Sequence, residues 1–240
     1  MLEFNEQDWE WNSHSRLVIL TGAGVSAESG IKTFRDAGGL WEGERIEEVA
    51  SPEGFKRNPE KVIHFYNLRR QQLKTVQPNL GHEAIAKCSH TLQDRFHLIT
   101  QNVDDLHQRS KTQNVFPMHG ELNTLRCLKN EHVIPTTQDQ QPNDLCPKCN
   151  SQLRPNIVWF GEMPFYMDKL HKIISNCTHF IYCGTSSNVY PAAGFKQLAK
   201  QTGAKTLLLN LDTPNYDYDT DFYIEGKSSI LLPKILKLLF

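Results

Sequence analysis

The stretch RLVILTGAG, 16–24, constrains this fold more than any other part of the chain. Its apolar run, 16–20, ends in TGAG, with two closely spaced glycines. A short run that is apolar at successive positions predicts a strand buried on both faces, which is the habit of parallel sheets. The glycines predict a tight turn into a helix. Three further runs end the same way, in small or polar residues: FHLITQN (96–102), HFIYCGTS (179–186) and AKTLLLNLD (204–212). Helix-like stretches lie between them at 24–30, 59–76, 79–90, 166–176 and 191–202. Strands alternating with helices predict an α/β fold with a parallel sheet, and a ligand at the carboxyl ends of its strands.

Two segments interrupt this alternation. Residues 37–80 read as a mostly helical insertion, and 123–157 are polar and hold three of the six cysteines. The expected organisation is a Rossmann-like sheet domain from 1–36, 81–122 and 158–240. A smaller inserted domain, with a helical part and a zinc-ribbon-like part, takes 37–80 and 123–157. The tyrosine- and aspartate-rich stretch 215–223 is expected to be a surface loop before the last helix. A net charge of -1 argues against a broad nucleic-acid surface, which needs clustered Lys and Arg. No apolar run approaches a membrane span, and the first residues are acidic without an apolar core, so no membrane partner and a cytoplasmic location are expected. Reduced cysteines follow, with Cys88, Cys177 and Cys183 as core residues.

Gly22, Gly24 and Ala27 form a G-x-G-x-x-A pattern after a strand, which suits a pyrophosphate approaching the backbone. A hydride-transfer enzyme would need a second strand with an acidic end about 20 residues on. The stretch KTFRDAGGLWEGERIEEV has no such strand. In HFYNLRRQQL, 64–73, Phe65, Leu68 and Leu73 recur near helical spacing, and a helix sets Tyr66 and Arg69 on one face. A phenol beside a guanidinium is either a solvated surface or a pair of donors aimed at one carboxylate.

Six ordered stretches together resemble the sirtuin family: TGAGVSAESGIKTFR (21–35), TQNVDDLHQRS (100–110), HGEL (119–122), IVWFGEMP (157–164), CGTSSNVYPAAG (183–194) and LNLD (209–212). The resemblance spans roughly 16–240. It implies an NAD-dependent protein-lysine deacylase whose acyl-lysine substrate enters a cleft between a Rossmann-like domain and a small zinc-bearing domain. His119 would be the general base for a ribose hydroxyl, a task suited to imidazole. The cofactor residues would be Gly22, Ala23, Gly24, Ala27, Phe34, Arg35, Gln101, Asn102, Asp104, Gly184, Thr185, Ser186, Asn210, Asp212 and Ser228. Val158, Phe160, Gly161 and Glu162 resemble a strand that pairs with the substrate peptide. The products would be nicotinamide and O-acyl-ADP-ribose.

The family holds structural zinc on two C-x-x-C pairs. Here Cys127, Cys146 and Cys149 are present, but Asn130 stands where the fourth cysteine is expected. A fourth ligand would come from elsewhere, such as His132 or Glu131, or the site is lost. Family members that remove acidic acyl groups resemble one another in a Tyr-x-x-Arg pair, matched here by Tyr66 and Arg69. Thr33, where deacetylases carry Asp, points the same way. The expectation is therefore removal of both acetyl and acidic acyl (succinyl, malonyl) groups. The competing readings are protein mono-ADP-ribosyl transfer at the same NAD site, a dehydrogenase, and a zinc-ribbon interaction module.

Overall fold

The computed structural model describes residues 6–32, 40–185, 190–211 and 220–239. Among these, six parallel strands form one sheet in the order Phe222–Glu225, Lys205–Asn210, His179–Cys183, Leu17–Thr21, Phe96–Thr100, Val115–Pro117. The chain starts in the middle, builds one half of the sheet outward, then returns to build the other. That leaves a switch point between Leu17–Thr21 and His179–Cys183, the crevice where open α/β sheets bind ligands. Thr21 pairs with Thr100 on one side and Cys183 on the other, so three strand ends open together.

Successive side chains of each central strand enter different cores, as the pleat requires. Leu17 and Ile19 pack with Ile85, Leu98, Leu209 and Leu232, under the helices Leu80–Leu92 and Ser228–Lys237. Val18 and Leu20 pack with Leu170, Ile174, Phe180 and Phe195, under Met167–Ser175 and Phe195–Gln201. Both faces are covered, which is why these strands are apolar throughout. The helix Pro59–Leu73 starts cleanly because Pro59 needs no N–H partner and the Asn58 side chain accepts from the Lys61 N–H. Its Val62, Ile63, Phe65, Tyr66 and Leu73 pack with Val49, Phe55, Ile157 and Trp159 as a third core.

Several expectations need correction. The helix after the glycine turn covers only Gly24–Ala27 rather than 24–30, and the 59–76 stretch ends at Leu73. Helix 191–202 begins with a short 3-10 turn, Ala192–Gly194, before Phe195–Gln201. Leu68 is not a core position; it is 41% exposed. The end of the expected loop 215–223 belongs to the edge strand Phe222–Glu225; residues 212–219 lie outside the described residues. Segment 123–157, read as lacking periodicity, contributes to an antiparallel sheet of Val133–Pro135, Gly120–Cys127 and Leu153–Ile157. Its central strand runs straight across the division drawn at 122/123. The middle strand alternates buried and half-buried positions but changes phase at Asn123–Thr124, within the stretch where its register with Leu153–Ile157 shifts, so the sequence shows no unbroken period of two. Among the described residues, no helix is long and apolar enough to cross a membrane.

Candidate functional site

A cleft of about 460 Å³ opens at the switch point, between the strand ends and the Pro59–Leu73 helix. It brings together Gly22, Ala23, Gly24, Ala27, Gln101, Asn102, Asp104, His119, Gly184, Thr185, Asn210 and Ser228 on one side. Tyr66, Arg69, Val158, Phe160, Gly161 and Glu162 line the other. Phe34, Arg35, Ser186 and Asp212, with Thr33, lie outside the described residues.

The glycines are explained partly by packing of backbone on backbone. Gly22 donates its N–H to the Cys183 carbonyl at 3.0 Å and Gly24 donates to Gly184 at 2.8 Å. A Cβ at Gly24 would sit 2.7 Å from the Gly184 Cα, and one at Gly22 would sit 2.7 Å from the Gly184 oxygen. Gly184 itself has φ +60, a conformation that favours glycine. Two loops from opposite halves of the sheet thus touch without side chains between them. The helix that follows is a single turn, and Val25 and Ser26 spend their N–H groups on Gly22 and Ala23. Its dipole is accordingly a smaller asset to a bound phosphate than the sequence pattern suggests.

Gln101 leaves its strand with its N–H on the Thr21 carbonyl and its amide on the Thr185 hydroxyl at 3.0 Å. Its carbonyl lies 3.1 Å from Nδ1 of His119. A carbonyl can only accept, so Nδ1 carries the proton and Nε2 keeps its lone pair. Burial also lowers the His119 pKa, partly opposed by that bond, so the ring is neutral near pH 7. The next residue, Gly120, has φ +88, and a Cβ there would lie 1.9 Å from the Asn156 oxygen. Only glycine fits, and this close crossing fixes where His119 sits.

Asn102 donates through its side chain to the Ser26 hydroxyl at 3.1 Å. Asp104 is buried, accepts from the Leu106 N–H at 3.1 Å, and burial pushes its carboxyl up to about 6. Beneath them lies a polar layer the sequence reading missed. His82 takes the Asn79 N–H on Nδ1, leaving Nε2–H directed at Ser26 at 3.5 Å. His107 meets the Thr21 hydroxyl at 3.0 Å, and its ring centre lies 4.7 Å from that of His82. Burial brings His82 down to about 4, and burial with His82 beside it brings His107 well below the ordinary range. The signal available was His82 three residues after Asn79, a reciprocal helix cap. Asn210 is tied into the frame, donating to the Thr185 carbonyl at 3.1 Å, while Ser228 accepts from the Cys183 thiol at 3.3 Å.

On the substrate side the strand stops at Ile157, and 158–162 form a turn rather than the expected strand. Val158 donates to the His119 carbonyl at 2.9 Å, and Phe160 to the Ala50 carbonyl at 3.0 Å. The Glu162 carboxylate is occupied inside the protein: Arg154 reaches both oxygens at 2.7 and 2.8 Å, and the Trp159 N–H donates at 2.8 Å. Burial alone would raise Glu162, but these bonds together hold it below the usual carboxylate value. Tyr66 is fully buried, and its hydroxyl accepts from the Trp159 indole N–H at 3.0 Å. Its own O–H finds no acceptor among the described residues. The Arg69 guanidinium lies 4.9 Å from the Phe65 ring centre, and its buried Nε has no partner among the described residues. The neighbouring Arg70 is buried, 1% exposed, and donates to the Leu122 carbonyl at 2.8 Å.

Cys127, Cys146 and Cys149 lie apart from this cleft, in a small core with Leu125 and Leu153. His132 completes their set: four donor atoms lie within 4.8 Å of one another. Cys127 and Cys149 sulfurs are 3.3 Å apart, and His132 Nδ1 is 3.4 Å from the Cys146 sulfur. Three sulfurs and one imidazole converging at this scale fit a tetrahedral zinc ion with no open position, hence a structural one. Of the two candidates for the fourth ligand, the cluster contains His132 and not Glu131.

The model of the Sir2 family matches residues 22–191. The chain is 47% identical over 231 residues to an NAD-dependent protein deacylase of Salmonella typhimurium, covering 95% of this chain and 85% of that one. It is 49% identical over 226 residues to the NAD-dependent protein deacylase of Escherichia coli K12, covering 92% and 81%. Among solved structures, a Sir2 homologue in complex with NAD superposes with a TM-score of 0.88 at 36% identity, covering 99% and 94%. Sir2 bound to acetylated peptide gives 0.78 at 27% identity, covering 92% of each chain.

Proposed function

The chain belongs to the Sir2 family, whose curated relatives here are NAD-dependent protein deacylases, and from that membership we propose which acyl groups it removes. It takes both acetyl and acidic acyl groups, succinyl and malonyl, from lysine in protein substrates, releasing nicotinamide and O-acyl-ADP-ribose. The single observation that carries the acidic part is a pair of unspent donors. Tyr66 and Arg69 line the cleft that holds His119, and neither the Tyr66 O–H nor the Arg69 Nε has a partner among the described residues. A buried donor without a partner costs about 1–3 kcal/mol. A carboxylate at the end of a succinyl chain would offset that cost, because guanidinium and phenol bond it in a charge-assisted way. An acetyl group is too short to reach them.

Bound NAD supplies an electrophilic ribose carbon and nicotinamide as its leaving group. Gly22, Gly24 and Gly184 keep the phosphate side of the cleft free of side chains, and Gln101, Asn102 and Asp104 edge the ribose side. His119 accepts a proton from a ribose hydroxyl at Nε2, because Nδ1–H is committed to Gln101. The acyl-lysine enters beside the turn 158–162. Zinc on Cys127, His132, Cys146 and Cys149 would brace the antiparallel module and take no part in the chemistry.

The test is NAD-dependent nicotinamide release with two peptides that differ only in acetyl- or succinyl-lysine. Comparable or faster turnover of the succinyl peptide is expected. Turnover of the acetyl peptide alone would refute the assignment of Tyr66 and Arg69.

A further inference from the structure

Trp159 falls inside the IVWFGEMP stretch but was given no role by the sequence. It is 2% exposed and lines the cleft. Its indole N–H is 3.0 Å from the Tyr66 oxygen, across 93 positions of sequence. An indole N–H can only donate, so it occupies an acceptor site of the phenol. The Tyr66 proton must then point away from Trp159. Without that bond, the buried phenol could turn its proton to either side of its ring.

Trp159 is itself held from three directions. The Arg154 guanidinium carbon lies 3.4 Å from the ring centre, close enough for a cation–π contact. Arg154 is in turn gripped by both oxygens of Glu162, and the same carboxylate takes the Trp159 backbone N–H. The Phe55 ring packs at 5.2 Å. Glu162, Arg154, Trp159 and Tyr66 therefore form one continuous series of contacts from the turn 158–162 to the Pro59–Leu73 helix.

We infer that Trp159 is a positioning residue for acyl selectivity: its indole N–H aims the Tyr66 hydroxyl at the carboxylate of an acidic acyl-lysine. Glu162, expected to contact the substrate peptide, belongs with Arg154 to the support of this indole. The inference rests on the carboxylate reading of Tyr66 and Arg69.

The experiment is a double-mutant cycle on the full chain, using kcat/KM with matched succinyl- and acetyl-lysine peptides at saturating NAD. The variants are Tyr66→Phe, Trp159→Phe and the two combined. A fourth protein carries 3-benzothienyl-alanine at 159, which keeps the bicyclic shape and lacks the N–H, so that packing loss is separated from donor loss. Losing an aimed charge-assisted bond is expected to lower the succinyl-to-acetyl ratio by about tenfold or more. Trp159→Phe and the benzothienyl protein should both show this fall, and the double variant should match Tyr66→Phe alone. A ratio unchanged in the benzothienyl protein overturns the inference while leaving the carboxylate reading standing. Additive effects in the cycle do the same. An unchanged ratio in Tyr66→Phe overturns both.

Discussion

Arg69→Met separates selectivity from stability in one substitution. Methionine keeps an unbranched stem that can lie over Phe65, where the guanidinium now sits at 4.9 Å. What it removes is a fork of N–H donors. A hydrogen bond to a charged group is worth about 1.5–3 kcal/mol, or about 10- to 150-fold in kcat/KM, for each bond a succinyl carboxylate makes. An acetyl group makes none, so its kcat/KM should fall far less. Folding stability should not fall, because the buried Arg69 Nε has no partner to lose among the described residues. Relief of that unpaired donor, worth about 1–3 kcal/mol, outweighs the lost cation–π contact with Phe65, worth about 0.5–1 kcal/mol, so the change is neutral or stabilising. The assay pairs nicotinamide release on the two peptides with urea unfolding of the same protein. Equal losses on both peptides refute the assigned role, and a lowered unfolding midpoint shows that Arg69 is a structural residue instead.

Gly120→Ala should destabilise by about 3 kcal/mol or more, since it combines a positive-φ penalty with a Cβ 1.9 Å from the Asn156 oxygen; a thermal midpoint equal to wild type would contradict this. Activity should fall on the acid side below the ordinary histidine value of 6.5, as His119, whose pKa is lowered, becomes protonated and loses its Nε2 lone pair; a limb above 6.5 would point to another group. Stability should also fall as pH drops from 6.5 towards 4, because unfolded His82 binds a proton there and native His82, at about 4, does not. That is about 3 kcal/mol from His82 alone. His107 acts in the same direction, and Asp104, raised to about 6, opposes them both between 3.8 and 6. A His82→Asn variant with an unchanged acid midpoint would refute this assignment. Protein purified without added zinc should carry one equivalent by metal analysis, and His132→Ala should lose it; well under one equivalent in the unaltered chain sinks the four-ligand site.

Much of the architecture was legible in local patterns. The four apolar runs read as buried strands because both sheet faces are covered, so burial leaves a mark at every position of Leu17–Thr21 and His179–Cys183. Val115–Pro117 and Phe222–Glu225 were not legible, because a three- or four-residue edge strand carries too little periodicity. The helix after the glycine turn was read as too long: past Ala27 the backbone closes tighter turns, Ser29 donating to the Ser26 carbonyl and Gly30 to the Ala27 carbonyl, and Gly30 takes φ +96. Glycine at 22 and 24 is a covalent fact, whereas the reason that no larger residue fits lies 160 positions away, in Gly184.

The same division runs through the site. The sequence by itself carried the side chains the chemistry needs: His119, Asn102 and Asp104, the Tyr66 and Arg69 pair, and three cysteines with one expected cysteine missing. Short-range spacing records such things, since a helix face or a C-x-x-C turn closes within a few residues. Tertiary structure alone decided that His132 rather than Glu131 joins the cysteines, that Glu162 faces Arg154, and that Trp159 meets Tyr66. Each of these depends on where separate segments cross in space. Hydrophobic burial brings those segments together without direction, and hydrogen bonds formed at the crossing then select which partners meet.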